Sequence, residues 1–472
     1  MKKFFELKEN NTNVVTEIIA GLTIFFTMAY IIFINPEILS LNPGMSWRST
    51  FVATILTSAF GTLLMALYAN VPFVLAPGMG ANAFFTFTLC KQMKFSWHEA
   101  LSIVFICGLL IVLITVTRFR KIIIQAIPDF LKDSMSCGIG MFIAYIGFKN
   151  ASFLTFISDV GKYNILKDGN IVTDGSIVPI LTIFKNSNSL LSLIGLVVTI
   201  ILVVRRVKAA IFIGIIITVL VGVIIGVIDI SKVKFFDLLS ISSIKEVAFV
   251  TFKSSGICSL FSNLNKIILT IMATLSLFLS VTFDAIGTFI GTGKISGIFD
   301  VKNNSELTNK KKFNSKFDKA LFSDGVASIF GGLLGTSSIT TYVESASGIS
   351  VGGRTGLTGL VVSGMFLLCL PFANLFSIIP KEIMAPALIV VGVFMMTSIT
   401  KINWSDYEQA FPAFLTITVM SFAFNISYGI AMGFIFYCIV KLTCGKIKEV
   451  HPIMLCSSLI FLINFIIVSL KN

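Results

Sequence analysis

Two acidic residues lie in parts of the sequence where an apolar environment is expected. Asp284 follows a long run of apolar and hydroxyl side chains in LSLFLSVTFDAIGTFIGTG. Glu344 is the only acidic residue in the polar stretch 335–353, which separates apolar runs at 320–334 and 357–371. Buried carboxylates accept hydrogen bonds from a ligand with several N–H donors, and two close together can share a proton. Asp284 and Glu344 are therefore the first candidates for a binding site.

The composition identifies the class of protein in which these residues lie. Of 472 residues, 56% are hydrophobic and 12% are charged, whereas soluble domains are about one quarter charged. Apolar runs near the length of a bilayer-crossing helix, about 20 residues, recur along the chain. We therefore predict an all-α polytopic membrane protein embedded in a lipid bilayer. A separate soluble domain is not expected, because no polar stretch is long enough to form a core.

The carboxylates also have a structural interpretation. Glu344 would be an ordinary loop residue if 335–353 lay outside the bilayer, and Asp284 would be a buried carboxylate bonded to helix ends. The functional interpretation is that 335–353 is a broken helix lining a polar cavity, because unsatisfied amides facing lipid are costly. An ionisable group at the depth of Asp284 costs about 2.5–3.5 kcal/mol or more, which favours a functional role. Asp324 is interpreted as structural. Tyr30, in the first apolar run, either faces the same cavity or, more simply, packs against neighbouring helices.

Four further polar residues are candidates for the same site. Asn82 follows the sequence PGMGA and offers both a hydrogen-bond donor and an acceptor, although a helix-end cap explains it equally well. Thr341 and Ser345 flank Glu344. Thr27, in the first apolar run, is assigned to the same cavity, with packing as the simpler explanation.

The net charge of +13 reflects membrane topology, not nucleic-acid binding. Basic residues cluster in short connections that fall on one side when the N-terminus is cytosolic, as the positive-inside rule requires. These clusters are Lys2 with Lys3, 118–121, 205–208, 310–319 and 441–448. The first apolar run ends in Asn35-Pro36 without a cleavage site, so we predict an uncleaved first span.

Metal, cofactor and enzyme chemistry find no support in the sequence. The eight cysteines are single, without a CxxC pair, and His98 and His451 lie beside span ends, so we predict no metal site and no cofactor. Phosphate-binding GxxxxGKS/T and GxGxxG motifs and the HExxH motif are all missing from the sequence. We predict that the protein is not an enzyme and retain a membrane-embedded enzyme as the alternative outside the transport class.

The hydropathy pattern predicts about fourteen membrane segments. The first seven are 14–35, 48–69, 71–90, 97–117, 121–148, 189–204 and 209–228. The second seven are 266–291, 317–335, 337–353, 355–377, 381–400, 408–425 and 427–443. Longer polar connections lie at 149–188, 229–263 and 292–316. A further apolar run at 453–470 either crosses the bilayer or lies at its interface.

Two short patterns occur in the same order in both halves of the chain. SAFGTLL at 58–64 resembles SIFGGLL at 328–334. The second pattern is IP at 127–128 with GMF at 140–142, matched by IP at 379–380 with GVF at 392–394. Seven segments, an odd number, separate the matched points, so the second copy would be inverted in the membrane. We predict two inverted seven-segment repeats, 14–228 and 266–443, an arrangement typical of secondary transporters.

The repeats further predict that segments three and ten correspond and that both are discontinuous. VPFVLAPGMGAN at 71–82 contains two prolines, so an extended start should precede a half-helix from Gly78. SSITTYV at 337–343 is strand-like, and small residues around Glu344 follow it. Two half-helices entering from opposite sides would bring their N-terminal ends, with free amides, together at mid-membrane.

Five motifs occur in order along the chain: GLTIFFTMAYIIFINP at 21–36, APGMGANAFF at 76–85, TFDAIGT at 282–288, TTYVESASGISVGGRTGLTG at 340–359 and PALIVVGVFMM at 386–396. Together they resemble the nucleobase:cation symporter-2 superfamily, and in particular its AzgA-like branch of adenine, guanine and hypoxanthine permeases. The resemblance implies a core domain of segments 1–4 and 8–11 and a gate domain of segments 5–7 and 12–14. It also implies a purine between segments three and ten, bound by Asp284 and Glu344, with Asn82 lining the site.

From this resemblance we expect a secondary active transporter of the cytoplasmic membrane that imports hypoxanthine, guanine and adenine by proton symport. Asp284 and Glu344 are the proton-coupling candidates, and a homodimer is the candidate oligomeric state. A uracil, xanthine or anion carrier of the same architecture is the alternative. The preferred base and the choice between proton and sodium are not fixed by the sequence.

Cysteine labelling tests the predicted topology. With a cytosolic N-terminus and seven segments between matched points, position 168 lies outside the cell and position 312 lies in the cytosol. A membrane-impermeant thiol reagent added to intact cells should label Asp168→Cys and should label Lys312→Cys only after permeabilisation. Labelling of position 312 in intact cells would contradict the inverted repeat.

Overall fold

The computed structural model describes residues 4–117, 126–158, 163–165, 171–173, 177–182, 186–228, 238–296, 315–377 and 379–471. Several predicted features lie outside these described residues: the basic clusters at Lys2 with Lys3 and at 118–121, residues 310–314 of a third cluster, and the labelling positions 168 and 312.

Helices dominate the first half of the chain. They are α1 (Val14–Met28), α2 (Ile31–Leu39), α3 (Trp47–Leu64), α4 (Met79–Ala83), α5 (Trp97–Thr117), α6 (Asp129–Asn150), α7 (Ser187–Val204) and α8 (Ala210–Ile224). π-helical turns extend α3 over Met65–Ala69 and α4 over Phe84–Gln92. Side chains that accept a backbone N–H fix some of the starts, as Asn13 does for α1 and Ser46 for α3.

The second half is also mainly helical. Short 3₁₀ helices at Leu238–Glu246 and Val250–Phe252 lead into it. The helices that follow are α9 (Ile257–Leu260), α10 (Leu264–Ser296), α11 (Lys316–Leu334), α12 (Ser345–Val351), α13 (Gly356–Leu368), α14 (Ala373–Ser377), α15 (Lys381–Met396), α16 (Tyr407–Phe422), α17 (Ile426–Thr443) and α18 (Pro452–Lys471). Further 3₁₀ turns lie at Leu370–Phe372, Thr397–Lys401 and Ile447–Glu449.

The structure confirms a mostly helical polytopic membrane protein. Among the described residues, 8 helices are long and apolar enough to cross a membrane by length and composition. The shorter apolar helix Ala210–Ile224 falls below that length. The count of fourteen crossings stays a prediction, as does the path of the C-terminal run, which forms α18 and packs against α17 and α10.

The predicted all-α class is too narrow, because the structure contains short strands. In the predicted polar connection 149–188, β2 (Leu154–Ser158) pairs with β5 (Ile177–Leu181), and β3 (Tyr163–Ile165) pairs with β4 (Ile171–Thr173), both antiparallel. These segments are rich in Ile, Val and Thr, whose branched side chains fit a pleated surface. From the sequence, 149–188 is predicted only as a polar connection, with no strands assigned within it.

Segments three and ten are discontinuous, as predicted, and each begins with a strand. β1 (Leu75–Pro77) precedes α4, and β6 (Ile339–Thr341) precedes α12. The strands pair antiparallel in the register Leu75–Thr341, Ala76–Thr340 and Pro77–Ile339. The pair is buried on every residue, so the chain crosses the interior of the bundle twice in extended form.

Contacts between helices fall into two groups. In the first group, α1 and α3 pack against α13, while α3 and α5 pack against α11. The paired strands belong to this group, because β1 contacts α3 and β6 contacts α11. So do α12, which packs against α1, α10, which packs against α5 and β6, and α4 with its π-helical extension, which contacts α5. In the second group, α6 packs against α15 and α16, α7 packs against α8 and α15, and α16 packs against α17.

Candidate functional site

The paired strands are held in place by hydroxyl groups on the helix that precedes each of them. Thr62 of α3 donates to the Leu75 carbonyl oxygen at 3.0 Å. Ser328 of α11 donates to the Ile339 carbonyl oxygen at 2.6 Å. Because a strand pair of this length is not stable alone, these anchors and the surrounding helices fix the position of α4 and α12 relative to each other.

Glu344 lies at the start of α12, inside the helix bundle. Its side chain is half-buried, and its Oε1 accepts a hydrogen bond from the Tyr30 hydroxyl at 2.6 Å. Tyr30 is buried at the break between α1 and α2, where the chain has just left one helix and is entering the next. The packing role assigned to Tyr30 is therefore incomplete, because its hydroxyl orients the carboxylate.

Asp284 lies on α10, which packs against β6, α4 and α12. Its side chain is half-buried and is close enough to Glu344 for the two carboxylates to interact electrostatically. No hydrogen bond to Asp284 forms within the part of the chain that the structure describes. The two predicted carboxylates are thus brought together, and that of Asp284 has its hydrogen-bonding capacity free.

Asn82 joins the two discontinuous segments. It is fully buried in α4, its Oδ1 accepts a hydrogen bond from the Ser337 hydroxyl, and its Nδ2 lies 3.9 Å from Met79 Sδ. Ser337 precedes β6, so this side chain ties segment three to segment ten. Neither a helix-end cap nor a freely exposed ligand contact describes the Asn82 side chain in this conformation.

Thr341 and Asp324 form a buried pair behind β6. The Thr341 hydroxyl donates to Asp324 Oδ1 at 3.0 Å, and both side chains are buried. Asp324 is near enough to Asp284 for an electrostatic interaction. The residue interpreted as structural from its sequence position therefore contacts a predicted site residue directly.

Ser345 and Thr27 complete the set of predicted site residues. The Ser345 hydroxyl accepts from the Val74 N–H at 3.1 Å and so ties α12 to the chain before β1. Thr27 donates to the Thr23 carbonyl oxygen at 2.6 Å, and its hydroxyl lies 3.3 Å from that of Ser347. Thr27 thus faces α12, as the cavity assignment requires.

The expected free amides at the start of α12 are not found. The N–H groups of Ser345, Ala346 and Ser347 donate to the carbonyl oxygens three residues earlier, at 2.9–3.1 Å. Because the chain tightens into a 3₁₀-like turn here, the first amides of α12 are already paired. Polar recognition at this end of the site falls to side chains, above all to Glu344.

A second buried site, in which Glu17 is the carboxylate, was not predicted from the sequence. We call Glu17 and the groups that donate to it the Glu17 cluster. Glu17 of α1 has no solvent exposure and no cationic partner among the described residues. It accepts from the Arg354 N–H at 2.9 Å and from the Thr358 N–H and hydroxyl at 3.2 and 2.5 Å. Thr355 caps α13, so Glu17 satisfies amides at the start of that helix. The acidic residue in the first turn of α1 looks like an ordinary helix-start residue in the sequence, which gave no signal of this role.

The same junction fixes the far end of α12. Gly352 ends the helix with φ of +112°, a conformation that favours glycine. The Arg354 guanidinium donates to the carbonyl oxygens of Ile349 and Gly353 at 2.7 and 2.8 Å. The GGRTG sequence at 352–356 therefore forms the connection at which α12 ends and α13 begins.

The site as a whole offers two nearby carboxylates, a phenol that orients one of them, and small hydroxyl side chains. Groups of three or more His, Cys, Asp or Glu residues arranged to hold a metal ion are missing from the described residues. This chemistry fits a neutral polar ligand with N–H donors better than an anion, which the carboxylates would repel.

Comparisons with known proteins place this architecture among membrane transporters. A sequence model described as the Permease family matches residues 15–432. A guanine/hypoxanthine permease of Bacillus subtilis is 38% identical over 468 residues, which cover 98% of this chain and 100% of the relative. An adenine permease of Escherichia coli is 35% identical over 469 residues, covering 99% of this chain and 96% of the relative.

Solved structures share the fold at low sequence identity. The transmembrane domain of a cyanobacterial bicarbonate transporter aligns with a TM-score of 0.60 at 13% identity, covering 89% of this chain and 97% of that one. A murine anion transporter of solute carrier family 26, in the inward-facing state, aligns with a TM-score of 0.58 at 12% identity, covering 91% and 68%. At this identity the likeness concerns the fold alone.

The Glu17 cluster makes a prediction about stability. Glu17→Gln replaces an acceptor oxygen with an NH₂ group that faces N–H donors, and each lost charge-assisted hydrogen bond costs about 1.5–3 kcal/mol. We expect a clearly lower thermal unfolding temperature for the purified variant in detergent, measured by loss of the monodisperse gel-filtration peak after heating. Glu9→Gln, at an exposed position, is the matched control. Equal stability of the two variants would mean that Glu17 does not support the α1–α13 junction.

Proposed function

The chain belongs to the Permease family, and on that premise we propose that it is a secondary active transporter that imports the purine nucleobases hypoxanthine, guanine and adenine. The observation that carries the proposal is the Tyr30-oriented Glu344 carboxylate beside the unpaired Asp284, at the point where segments three and ten cross. The names of the relatives from Bacillus subtilis and Escherichia coli support a purine as the ligand. Enzymatic activity has no support in the site or the relatives.

The two carboxylates supply what a purine needs. A purine presents ring N–H groups and, in guanine and adenine, an exocyclic amine. Glu344 would accept hydrogen bonds from such N–H groups. The Tyr30 hydroxyl, which donates to Glu344 Oε1, keeps the carboxylate in a fixed orientation. Asp284, free of other partners, would accept from the opposite edge or exchange a proton. Thr27 and Ser347 line the approach to α12, and Asn82, Thr341 and Ser345 hold the framework behind the ligand.

We also propose that the chain is built from two inverted seven-segment repeats, 14–228 and 266–443. Pairs of residues matched by the sequence repeat meet each other in space, as expected beside a two-fold axis. Phe60 and Phe330 stack with ring centroids 3.9 Å apart. A Cβ added to Gly392 would lie 2.6 Å from the Gly140 carbonyl oxygen, so the matched glycines are also in contact.

Further local features agree with this symmetry. Pro128 and Pro380 both precede their helices, α6 and α15, with nearly the same backbone angles. The antiparallel pairing of β1 and β6 is what two equivalent strands entering from opposite sides would make. The fourteen-crossing count follows from the same repeat, and the cytosolic N-terminus follows from the basic clusters by the positive-inside rule.

Alternating access would come from movement of one group of helices past the other. The first packing group matches segments 1–4 and 8–11, the proposed core, and the second matches segments 5–7 and 12–14, the proposed gate. Tyr30, Asn82, Asp284 and Glu344 all belong to the core. A ligand held by these residues would therefore change its access when the core and gate shift, without losing its contacts.

Proton symport is the proposed coupling mechanism, in the cytoplasmic membrane, with a homodimer as the candidate assembly. A carboxylate that is partly buried, near a second carboxylate and without a cationic partner binds a proton readily. Asp284 meets these conditions, and Glu344 is the second candidate. A uracil, xanthine or anion carrier of the same fold remains the alternative, of which the anion carrier fits the two carboxylates least.

Glu344 and Tyr30 should differ in how much they contribute to binding. Glu344→Gln loses charge-assisted hydrogen bonds of about 1.5–3 kcal/mol each, so purine affinity should fall by about tenfold or more. Tyr30→Phe keeps the carboxylate but frees its orientation, so a smaller loss is expected. Binding of labelled hypoxanthine to the purified variants measures both effects. Unchanged affinity in Glu344→Gln would remove this residue from the site.

Asp284 should separate binding from coupling. Asp284→Asn keeps a hydrogen-bond donor and acceptor but cannot cycle a proton, so it should retain measurable purine binding and lose accumulation. The experiment measures uptake of labelled hypoxanthine, with competition by guanine, adenine, xanthine and uracil, at two external pH values with and without a protonophore. Uptake that follows sodium and ignores the protonophore would contradict proton coupling. An Asp284→Asn protein that still concentrates purine would leave Asp284 a structural carboxylate.

A further inference from the structure

The turn between α16 and α17 contains an aromatic residue in an unfavourable conformation. Phe424 has φ of +52°, in the left-handed region that a bulky side chain rarely adopts. Such backbone strain persists only where the surrounding contacts hold the residue in place. We call residues 423–425 the Phe424 turn.

The Phe424 ring is surrounded by side chains from both helix groups. Phe142 and Tyr145 of α6 lie 4.9 and 5.8 Å from it between ring centroids, and Lys149 Nζ lies 5.6 Å from its centre. These belong to the second group, the proposed gate. Phe87, from the first group, meets the same ring edge-to-face at 5.0 Å. Aromatic pairs in this geometry contribute a favourable energy in addition to that of burying their apolar surface.

Two hydrogen bonds hold the backbone of the same turn to the first group. Gln92 Nε2 donates to the Ala423 carbonyl oxygen at 2.7 Å. The Thr88 hydroxyl accepts from the Ile426 N–H at 3.3 Å. Both side chains come from the π-helical extension Phe84–Gln92, so a single element of the first group holds the Phe424 turn and the adjoining first residue of α17.

That element runs directly from the site. It continues α4, which carries Asn82, and it is anchored to the core through Thr86, whose hydroxyl donates to the Ile38 carbonyl oxygen at 3.0 Å and accepts from Asn42 at 3.1 Å. One end of this element therefore lies at the site and the other end meets the gate. In the topology proposed above, the Phe424 turn lies on the external face.

We propose that the Phe424 turn is the external latch of the transporter: its docking on Phe84–Gln92 closes the outer route to the site, and its release opens that route. The proposal rests on the proposed alternating access of core and gate. The strain at Phe424 favours release, and the aromatic and hydrogen-bond contacts favour docking, so the latch can be opened without breaking a large interface.

Cross-linking tests whether the latch must open. In Gln92→Cys/Ala423→Cys, a short bifunctional methanethiosulfonate reagent joins the two exposed positions. Cross-linking should lower hypoxanthine uptake by about tenfold or more, and a reductant should restore it. Thr155→Cys/Thr182→Cys, on two residues of the connection 149–188 whose hydroxyls lie 2.6 Å apart, is the matched control and should keep its uptake. The parent chain and the single variants account for reaction at native cysteines.

Full uptake by Gln92→Cys/Ala423→Cys protein that is demonstrably cross-linked would overturn the latch. Absence of purine uptake by the untreated parent would instead overturn the proposed function. In that case a second measurement tests the latch proposal, because its result does not depend on uptake.

The second measurement is access to the site from outside. Ser347→Cys, beside Thr27, is reacted with an impermeant thiol reagent in intact cells, alone and combined with Phe424→Gly. Glycine accepts the backbone angle, so this variant removes the ring without strain, and labelling should become about threefold faster or more. Phe422→Gly, at a neighbouring phenylalanine that is 80% exposed, should leave the rate unchanged. Equal rates for Phe424→Gly and its control would overturn the proposal.

Discussion

The pairing of β1 with β6 is the interaction on which the site depends. Two stretches of extended backbone cross the inside of a helix bundle, where unsatisfied amides would be costly. Each strand satisfies the other, and Thr62, Ser328 and Ser345 bind further main-chain groups around them. Because this pairing fixes where α4 and α12 begin, it also fixes the positions of Asn82 and Glu344. Any change that displaces the strands would displace the proposed ligand contacts with them.

The sequence was sufficient for the parts of this arrangement that depend on local chemistry. Two prolines before Gly78 and β-branched residues before Glu344 predicted extended starts for segments three and ten, and the structure confirms both. Apolar surroundings singled out the carboxylates of Asp284 and Glu344, and the resemblance to a known family implied that the two lie across one cavity. Partners that come from distant segments were not predictable in this way. Tyr30 is separated from Glu344 by 314 positions, and a tyrosine in an apolar helix carries no sign of such a contact.

Glu17 shows the same limit more clearly. An acidic residue in the first turn of a helix is favoured by the local helix dipole, so the local sequence accounts for Glu17 without any distant partner. Its actual partners lie at the start of α13, more than 300 positions away.

The strands β2 and β5 were missed for a different reason. Hydropathy separates apolar spans from polar connections and does not resolve the structure within a connection. The prediction of free amides at the start of α12 was wrong. A tight turn, which the small residues permit, pairs these N–H groups with carbonyl oxygens three residues earlier.

The distribution of the site residues determines where closure must occur. Tyr30, Asn82, Asp284 and Glu344 all lie in segments of the proposed core, so the proposed ligand contacts do not bridge the core and the gate. In the proposed alternating access, opening and closing of the route depend on contacts at the edges of the groups, where core elements meet gate elements. The Phe84–Gln92 extension makes such a contact at the Phe424 turn while its other end continues into the helix that holds Asn82. A rigid connection of this kind lets the state of the site and the state of the outer contact influence each other, because one element takes part in both.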